Sequence, residues 1–85
     1  MKLSVIIPVY NEELTIAEIL RRVRRLPVDL EVIVVDDGST DRTRQFLASY
    51  REDGNGTVKI LYQPERRGKG AAIRRGLEEV TGDIV

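Results

Sequence analysis

The stretch Glu31-Val32-Ile33-Val34-Val35-Asp36-Asp37-Gly38-Ser39-Thr40-Asp41 decides the fold of this chain. Its β-branched run, Val32–Val35, has no polar alternation, which predicts a strand buried on both faces, as in a parallel sheet. The adjacent acids Asp36 and Asp37 follow at the carboxyl end of this strand, where open α/β sheets bind ligands. Because buried carboxylates are costly to desolvate, we expect both to have partners or to face a crevice. The alternative is that both only accept hydrogen bonds from loop amides.

The segments on either side of this strand alternate between strand and helix patterns. Residues 3–9 and 58–62 predict two further strands, and residues 83–85 predict the opening of a fourth. Helical patterns cover residues 12–26, 41–51 and 70–80. This β-α-β-α-β-α-β order predicts an α/β fold, a parallel sheet with helices on both faces. The order does not fix the strand arrangement, but 3-2-1-4 would place the ends of the first two strands beside one crevice.

Local signals suggest where these elements begin and end. Asn11 is a candidate N-cap for the first helix, and Thr40 or Asp41 for the second. Pro27 should stop the first helix, and residues 53–56 form a turn cluster. The apolar face of the first helix is predicted to comprise Leu14, Ile16, Ala17, Ile19, Leu20 and Val23. The second helix offers Phe46, Leu47 and Tyr50.

Composition excludes several classes of function. The 85 residues carry 14 Lys and Arg against 14 Asp and Glu, so the zero net charge argues against a general nucleic-acid binder. The sequence has no Cys and no His, which excludes disulfides, thiolate or histidine metal sites and Ser-His or Cys-His nucleophile pairs. No apolar run approaches ~18 residues and no signal peptide is recognisable, so the expected location is cytoplasmic.

Arginines crowd the end of the predicted first helix, at Arg21, Arg22, Arg24 and Arg25. Cations are favoured there by the helix dipole. The simplest interpretation is a solvated face, since most charge runs are that. The alternative is a patch for anionic lipid headgroups or phosphates.

Three predicted loops, residues 8–12, 36–41 and 66–70, should converge at the carboxyl ends of the strands. Together they offer carboxylates, a tyrosine ring, amides and cations, a set that suits a nucleotide. A carboxylate can accept from a base N–H or a ribose hydroxyl, while Lys69 and Arg66 or Arg67 can meet phosphates, together with amides of the third helix. The segment 67–70 lacks the spacing of a P-loop, and its glycines could equally serve loop flexibility and close packing.

Two stretches of the sequence, residues 4–12 and 31–41, together resemble a known family. Ser4-Val5-Ile6-Ile7-Pro8-Val9-Tyr10-Asn11-Glu12, followed by the stretch quoted above, resembles the amino-terminal half of the family 2 inverting glycosyltransferases. Residues 67–73 and 81–85 extend the resemblance, which is closest to the branch of dolichyl-phosphate mannose synthases and polyprenyl-phosphate glycosyltransferases. It implies a Rossmann-like GT-A fold, with residues 1–85 as the nucleotide-binding part of a truncated domain.

The resemblance also implies a set of nucleotide-binding residues. By position, Asp37 would accept from the base, Asp36 would support the loop or the ribose, and Lys69 would lie near the base or the diphosphate. Asn11 would be either a helix cap or a contact. The full set comprises Pro8, Tyr10, Asn11, Glu12, Val35, Asp36, Asp37 and Lys69. Asp83 would be structural, beginning the strand that leads to the metal site.

The implied reaction is transfer of a sugar from a UDP- or GDP-sugar, in the closest branch to a polyprenyl phosphate at a membrane surface. In this family Mg²⁺ or Mn²⁺ is held by a D-x-D motif after the strand that opens at Asp83, and the acceptor-activating base lies further on. Neither is expected within these 85 residues, so we expect no metal-binding or catalytic residue here and no turnover by this chain alone.

Two other functions remain open. One is a non-catalytic module that binds a nucleotide or a partner. The other, a response-regulator-like receiver, is disfavoured because Gln63-Pro64 follows the third strand, where the phosphoacceptor Asp would stand. An unpaired strand edge at Ile84-Val85 would also predict marginal stability or self-association.

Overall fold

The computed structural model describes residues 1–52 and 58–85, with side chains described for residues 1–50 and 58–85. The predicted turn cluster at residues 53–56 lies outside the described part. The elements are β1 (Lys2–Val9), α1 (Ile16–Arg24), β2 (Asp29–Asp37), α2 (Thr43–Glu52), β3 (Val58–Gln63) and α3 (Lys69–Leu77). The predicted alternation of strands and helices is therefore confirmed, with β2 longer at both ends than the sequence pattern indicates.

The three strands form a parallel sheet in the order β1-β2-β3. Val5 lies opposite Val32, and Val34 lies opposite Ile60. Beyond the named strands, Ile84 forms a parallel bridge with Leu3, and its carbonyl accepts from the amide of Ser4 at 2.6 Å. Because the opposite edge of β1 already pairs with β2, the segment at Ile84 extends the sheet beyond β1. With this bridging segment in the fourth position, the order matches 3-2-1-4, which brings the ends of β1 and β2 to one crevice.

The apolar core is divided by the sheet into two layers. On one face Val32 and Val34 of β2 pack with Ile16 and Leu20 of α1 and Leu47 of α2. On the other face Ile33 and Val35 pack against Ala72 of α3. The burial of β2 on both faces confirms the interpretation of its uninterrupted apolar run.

The start of α1 differs from the sequence prediction. The helix begins at Ile16, not at residue 12, and ends at Arg24, before Pro27. Asn11 is not its N-cap, because Asn11 adopts a left-handed conformation (φ 51°) rather than the extended one of an N-cap. Leu14 consequently lies in the turn ahead of the helix and is 94% exposed, so its assignment to the apolar face was wrong.

The second helix begins at Thr43, two residues later than predicted, and Asp41 lies in the turn just ahead of it. The Asp41 carboxylate accepts hydrogen bonds from the backbone N–H and the hydroxyl of Thr43, the N–H bond being 2.9 Å long. An unpaired amide at the first turn of α2 is thereby satisfied.

A buried polar cluster fastens the segment after α3 to the amino end of the sheet. Glu31 accepts from the hydroxyl of Ser4 (2.9 Å), from the N–H (2.8 Å) and hydroxyl (2.6 Å) of Thr81, and pairs with Lys59 at 3.0 Å. Burial opposes the charge on Glu31, but these donors outweigh it and lower the pKa to about 2. Gly82, which follows Thr81, lies so close to β1 that a Cβ atom on Gly82 would be 2.3 Å from the Ser4 hydroxyl oxygen.

Candidate functional site

A cleft of about 670 Å³ opens at the carboxyl ends of β1 and β2, beside the first turn of α3. Its volume is within the range of small-molecule sites. It is lined by Ile6, Pro8, Val9, Tyr10, Glu12, Asp37, Arg66, Lys69 and Ile73. Two of the three loops expected to converge supply most of this lining, and the third contributes Asp37.

The loop before α3 is held in place by the carboxylate of Asp37. One carboxylate oxygen, Oδ1, accepts from the N–H of Arg67 at 2.8 Å and from the side-chain amide of Gln63 at 3.2 Å. The other, Oδ2, accepts from the N–H of Gly68 at 2.9 Å. Asp37 is only 4% exposed and its burial opposes ionisation, but these donors and the charge of Arg66 outweigh that effect and lower its pKa. Asp37 is therefore ionised at neutral pH.

Gly38 allows the loop after β2 to touch the loop before α3. Its φ of +74° lies in the left-handed region that favours glycine. A Cβ atom at this position would stand 2.5 Å from the backbone nitrogen of Arg66. The sequence Asp37-Gly38 thus brings the two backbones together and supplies the carboxylate that binds them.

Tyr10 and Arg66 face each other across the cleft. The Arg66 guanidinium carbon lies 4.1 Å from the centroid of the Tyr10 ring, a cation–π distance. This stack joins the loop after β1 to the loop before α3. Both side chains line the cleft, so an aromatic face and a cation are offered at the same place.

Asn11 does not cap α1 and instead joins two loops. Its side-chain oxygen accepts from the N–H of Thr40 at 2.8 Å and of Asp41 at 3.2 Å, while its own N–H donates to the Ser39 hydroxyl at 3.0 Å. The N–H of Glu12 likewise donates to the Thr43 hydroxyl at 2.9 Å. Asn11 thus ties the loop after β1 to the loop after β2, and it does not line the cleft.

Asp37 lines the cleft but Asp36 does not; Asp36 has partners of its own and supports the loop after β2, one of the two roles that the sequence suggests for it. Asp36 is fully buried and its Oδ2 atom accepts from Arg44 Nε at 2.7 Å and from the Ser39 N–H at 3.2 Å. Arg44 also donates to the carbonyl of Gln63. The Oδ1 atom of Asp36 has no hydrogen-bond partner among the described residues. Asp36 therefore joins the ends of β2 and β3 through Arg44.

The eight predicted nucleotide-binding residues fall into two groups. Those that line the cleft are Pro8, Tyr10, Glu12, Asp37 and Lys69. Those that do not are Asn11, Val35 and Asp36, and Val35 is buried in the core beneath Ala72. Four residues that line the cleft are outside the predicted set, namely Ile6, Val9, Arg66 and Ile73. The sequence offered Arg66 only as a cation for phosphates, and Ile73 follows Lys69 by four residues and so shares its helix face. Arg44 was also missed.

Metal-binding chemistry is not found in the described part of the chain. Within residues 1–52 and 58–85, no group of three or more His, Cys, Asp or Glu side chains is arranged to hold a metal ion. The residues at the cleft therefore do not fit a metal site by themselves. Over the same residues, no helix is long and apolar enough to cross a bilayer.

Comparison with known proteins places this architecture in a family. The profile described as Glycosyl transferase family 2 matches residues 4–85. An undecaprenyl-phosphate 4-deoxy-4-formamido-L-arabinose transferase of Pseudomonas aeruginosa is 41% identical over 87 aligned positions, which cover 96% of this chain and 25% of the relative.

Solved structures agree with that match. The mannosyltransferase PcManGT from Pyrobaculum calidifontis, in complex with GDP-Man and Mn²⁺, superposes with a TM-score of 0.86 at 34% identity, covering 95% of this chain and 25% of that one. S. aureus TarS 1-349 in complex with UDP-GlcNAc gives 0.82 at 36% identity, covering 98% and 24%. This chain spans about a quarter of the length of these relatives. It belongs to glycosyltransferase family 2 and has the α/β architecture of the GT-A members of that family.

Proposed function

We propose that this chain is the nucleotide-binding part of an enzyme that transfers a sugar from a nucleotide donor to a polyprenyl phosphate. The observation that carries the proposal is the cleft in which Tyr10, Asp37, Arg66 and Lys69 meet at the carboxyl ends of the strands. The solved relatives that bind GDP-Man and UDP-GlcNAc support the donor class. The named activity of the Pseudomonas relative supports a polyprenyl phosphate acceptor.

Each cleft residue has a role that its chemistry suits. The Tyr10 ring offers a face on which a base can stack. Asp37 accepts a hydrogen bond from the base. Lys69 meets the diphosphate, helped by the first amides of α3, which no side chain in the described residues caps. These residues bind and orient the donor, and we assign none of them to the chemical step.

The open hydrogen-bonding capacity of Asp37 favours uracil over guanine. A carboxylate offers about four acceptor positions, and Gln63, Arg67 and Gly68 occupy three of them. The remaining position is on Oδ2, which accepts from Gly68 alone. The single imide N–H of uracil needs one acceptor, whereas the adjacent N–H groups of guanine need two. We therefore propose a uridine diphosphate sugar as the donor.

Isothermal titration calorimetry on the chain tests this proposal. UDP should bind about tenfold or more tightly than GDP, the value of one charged hydrogen bond. Asp37→Asn should weaken UDP binding by about tenfold or more for the same reason. The matched control is Asp41→Asn, which neutralises a loop carboxylate that does not line the cleft and should leave UDP affinity nearly unchanged.

Because Asp37→Asn could also weaken UDP binding by disturbing the loop before α3, a second variant tests the cleft in another way. Tyr10→Leu removes the aromatic face without touching the Asp37 hydrogen bonds, and it should also weaken UDP binding, since base stacking contributes roughly 1–3 kcal/mol. Absence of UDP binding by the folded wild-type chain would disprove the proposed function. GDP binding as tight as UDP binding would disprove only the assignment of the base.

A further inference from the structure

Arg66 covers the tyrosine face on which the proposed function stacks the base. The Arg66 guanidinium carbon lies 4.1 Å from the centroid of the Tyr10 ring, and both side chains line the cleft. Because Arg66 itself lines the cleft, the face of Tyr10 that it covers is turned towards the cleft. A base held between the ring and the guanidinium would need a separation of roughly 7 Å, the sum of two van der Waals contacts. The base and the guanidinium therefore compete for the same place on Tyr10.

The Arg66 side chain can leave Tyr10 while the backbone of its loop stays in place. Asp37 holds that backbone by accepting from the N–H of Arg67 at 2.8 Å and of Gly68 at 2.9 Å. The Arg66 side chain, by contrast, is exposed, and within the part of the chain that the structure describes its guanidinium forms no hydrogen bond and no ion pair. An exposed cation–π contact is weaker than the stacking of a base on an aromatic ring. A base can therefore displace the guanidinium.

The diphosphate of a bound nucleotide offers the displaced guanidinium a new partner. Lys69 lines the same cleft, and the first amides of α3 begin just after the loop that carries Arg66. The proposed function places the diphosphate at these groups. A guanidinium can donate two parallel hydrogen bonds to phosphate oxygens. A nucleoside diphosphate thus compensates for the lost contact with Tyr10, whereas a nucleoside without phosphates does not.

We propose that Arg66 is a specificity-determining residue that makes base stacking depend on a diphosphate. In the empty cleft Arg66 covers Tyr10, and when a nucleoside diphosphate binds it moves from the ring to the phosphates. The cleft thereby discriminates against nucleosides and free bases, which carry the same aromatic face as the donor. This inference rests on the proposed function, because it takes the Tyr10 ring to be the place where the base stacks.

Chemical-shift titration of the chain with uridine and with UDP tests this proposal, because it measures affinities weak enough for a nucleoside. Arg66→Gln should tighten uridine binding about two- to fivefold, since the base no longer has to break an exposed cation–π contact. The same substitution should lower the ratio of UDP affinity to uridine affinity about tenfold or more, since a charged hydrogen bond to phosphate is lost. Tighter binding of the nucleoside cannot result from a damaged fold.

The matched control is Arg42→Gln. It removes one exposed cation that lies just ahead of α2, at the same end of the sheet, from a side chain that does not line the cleft. Both affinities should stay nearly unchanged, because exposed charges at a distance are screened by salt. Circular dichroism of each variant shows that it is folded.

The results separate failure of this inference from failure of the proposed function. A folded wild-type chain that binds no UDP would overturn both. If the wild type binds UDP, three results would overturn this inference alone. They are uridine binding by Arg66→Gln that is undetected or no tighter than that of the wild type, an unchanged ratio of UDP to uridine affinity, and equal changes in Arg42→Gln. Weaker uridine binding by Arg66→Gln would show instead that the guanidinium covers the bound base. If GDP binds as tightly as UDP, the same comparison is made with guanosine and GDP.

Discussion

Replacing Glu31 with glutamine should remove a large part of the stability of this fold at neutral pH. Burial opposes the charge on Glu31, but its bonds from Thr81, Lys59 and Ser4 lower the pKa from 4.5 to about 2. A difference of this size corresponds to roughly 3 kcal/mol in the free energy of unfolding. Glutamine keeps the shape of the side chain but loses the charge, and it places an NH₂ group against the Lys59 ammonium or a hydroxyl donor.

The pH dependence has a definite sign. Because the pKa of Glu31 is lower in the folded than in the unfolded protein, its contribution is fully present above pH 4.5 and is lost as the pH falls towards about 2. Asp37 and Asp41 also have lowered pKa values, so the wild-type protein should lose stability from several groups on acidification. The difference between wild type and Glu31→Gln isolates the contribution of Glu31.

Urea unfolding followed by far-ultraviolet circular dichroism measures this difference. At pH 7 Glu31→Gln should lose roughly 3 kcal/mol, and its melting temperature should fall by more than about 10 °C for a domain of this size. The difference in unfolding free energy between wild type and Glu31→Gln should decrease as the pH is lowered. Glu78→Gln, which removes an exposed carboxylate paired with Arg75, should cost less than about 0.5 kcal/mol. Parallel stability curves for wild type and Glu31→Gln from neutral to acid pH would refute the reasoning.

Three further substitutions test the loops and the packing, each by urea unfolding. Gly38→Ala should destabilise the fold by about 2 kcal/mol or more, because it strains a left-handed residue and forces a Cβ atom against the Arg66 backbone; UDP affinity should fall with it. Arg44→Met should cost about 3 kcal/mol by leaving the buried carboxylate of Asp36 unpaired, and a cost below about 1 kcal/mol would show that the pair is not needed. Gly76→Ala should cost about 1–3 kcal/mol by overpacking α3 against the sheet, and an unchanged midpoint would contradict that.

The sequence predicts the fold well because β2 carries a strong signal. An uninterrupted apolar run that ends in polar residues specifies a central parallel strand, and the surrounding helices follow from ordinary periodicity. The start of α1 was predicted less well because Asn11 takes its conformation from distant partners, the amides of Thr40 and Asp41. No local propensity contains that information.

The separate roles of Asp36 and Asp37 follow from strand geometry. Successive residues of a strand point to opposite faces. Val34 faces α1 and α2 while Val35 faces α3, so Asp36 turns towards Arg44 of α2 and Asp37 turns towards the loop before α3. This alternation was available from the sequence alone. The identity of the Asp36 partner was not, because the chain has 14 cationic side chains and the spacing does not single out Arg44.

The close approach of Gly38 to Arg66 also constrains how this family can vary. Since one backbone rests directly on the other, with a carboxylate fastening them, neither segment can gain or lose a residue alone without breaking the junction. Insertions and deletions in the two segments should therefore occur together among homologues. For the same reason, a protein engineer who wishes to transplant the Asp37 side of this cleft would have to move both segments as one unit.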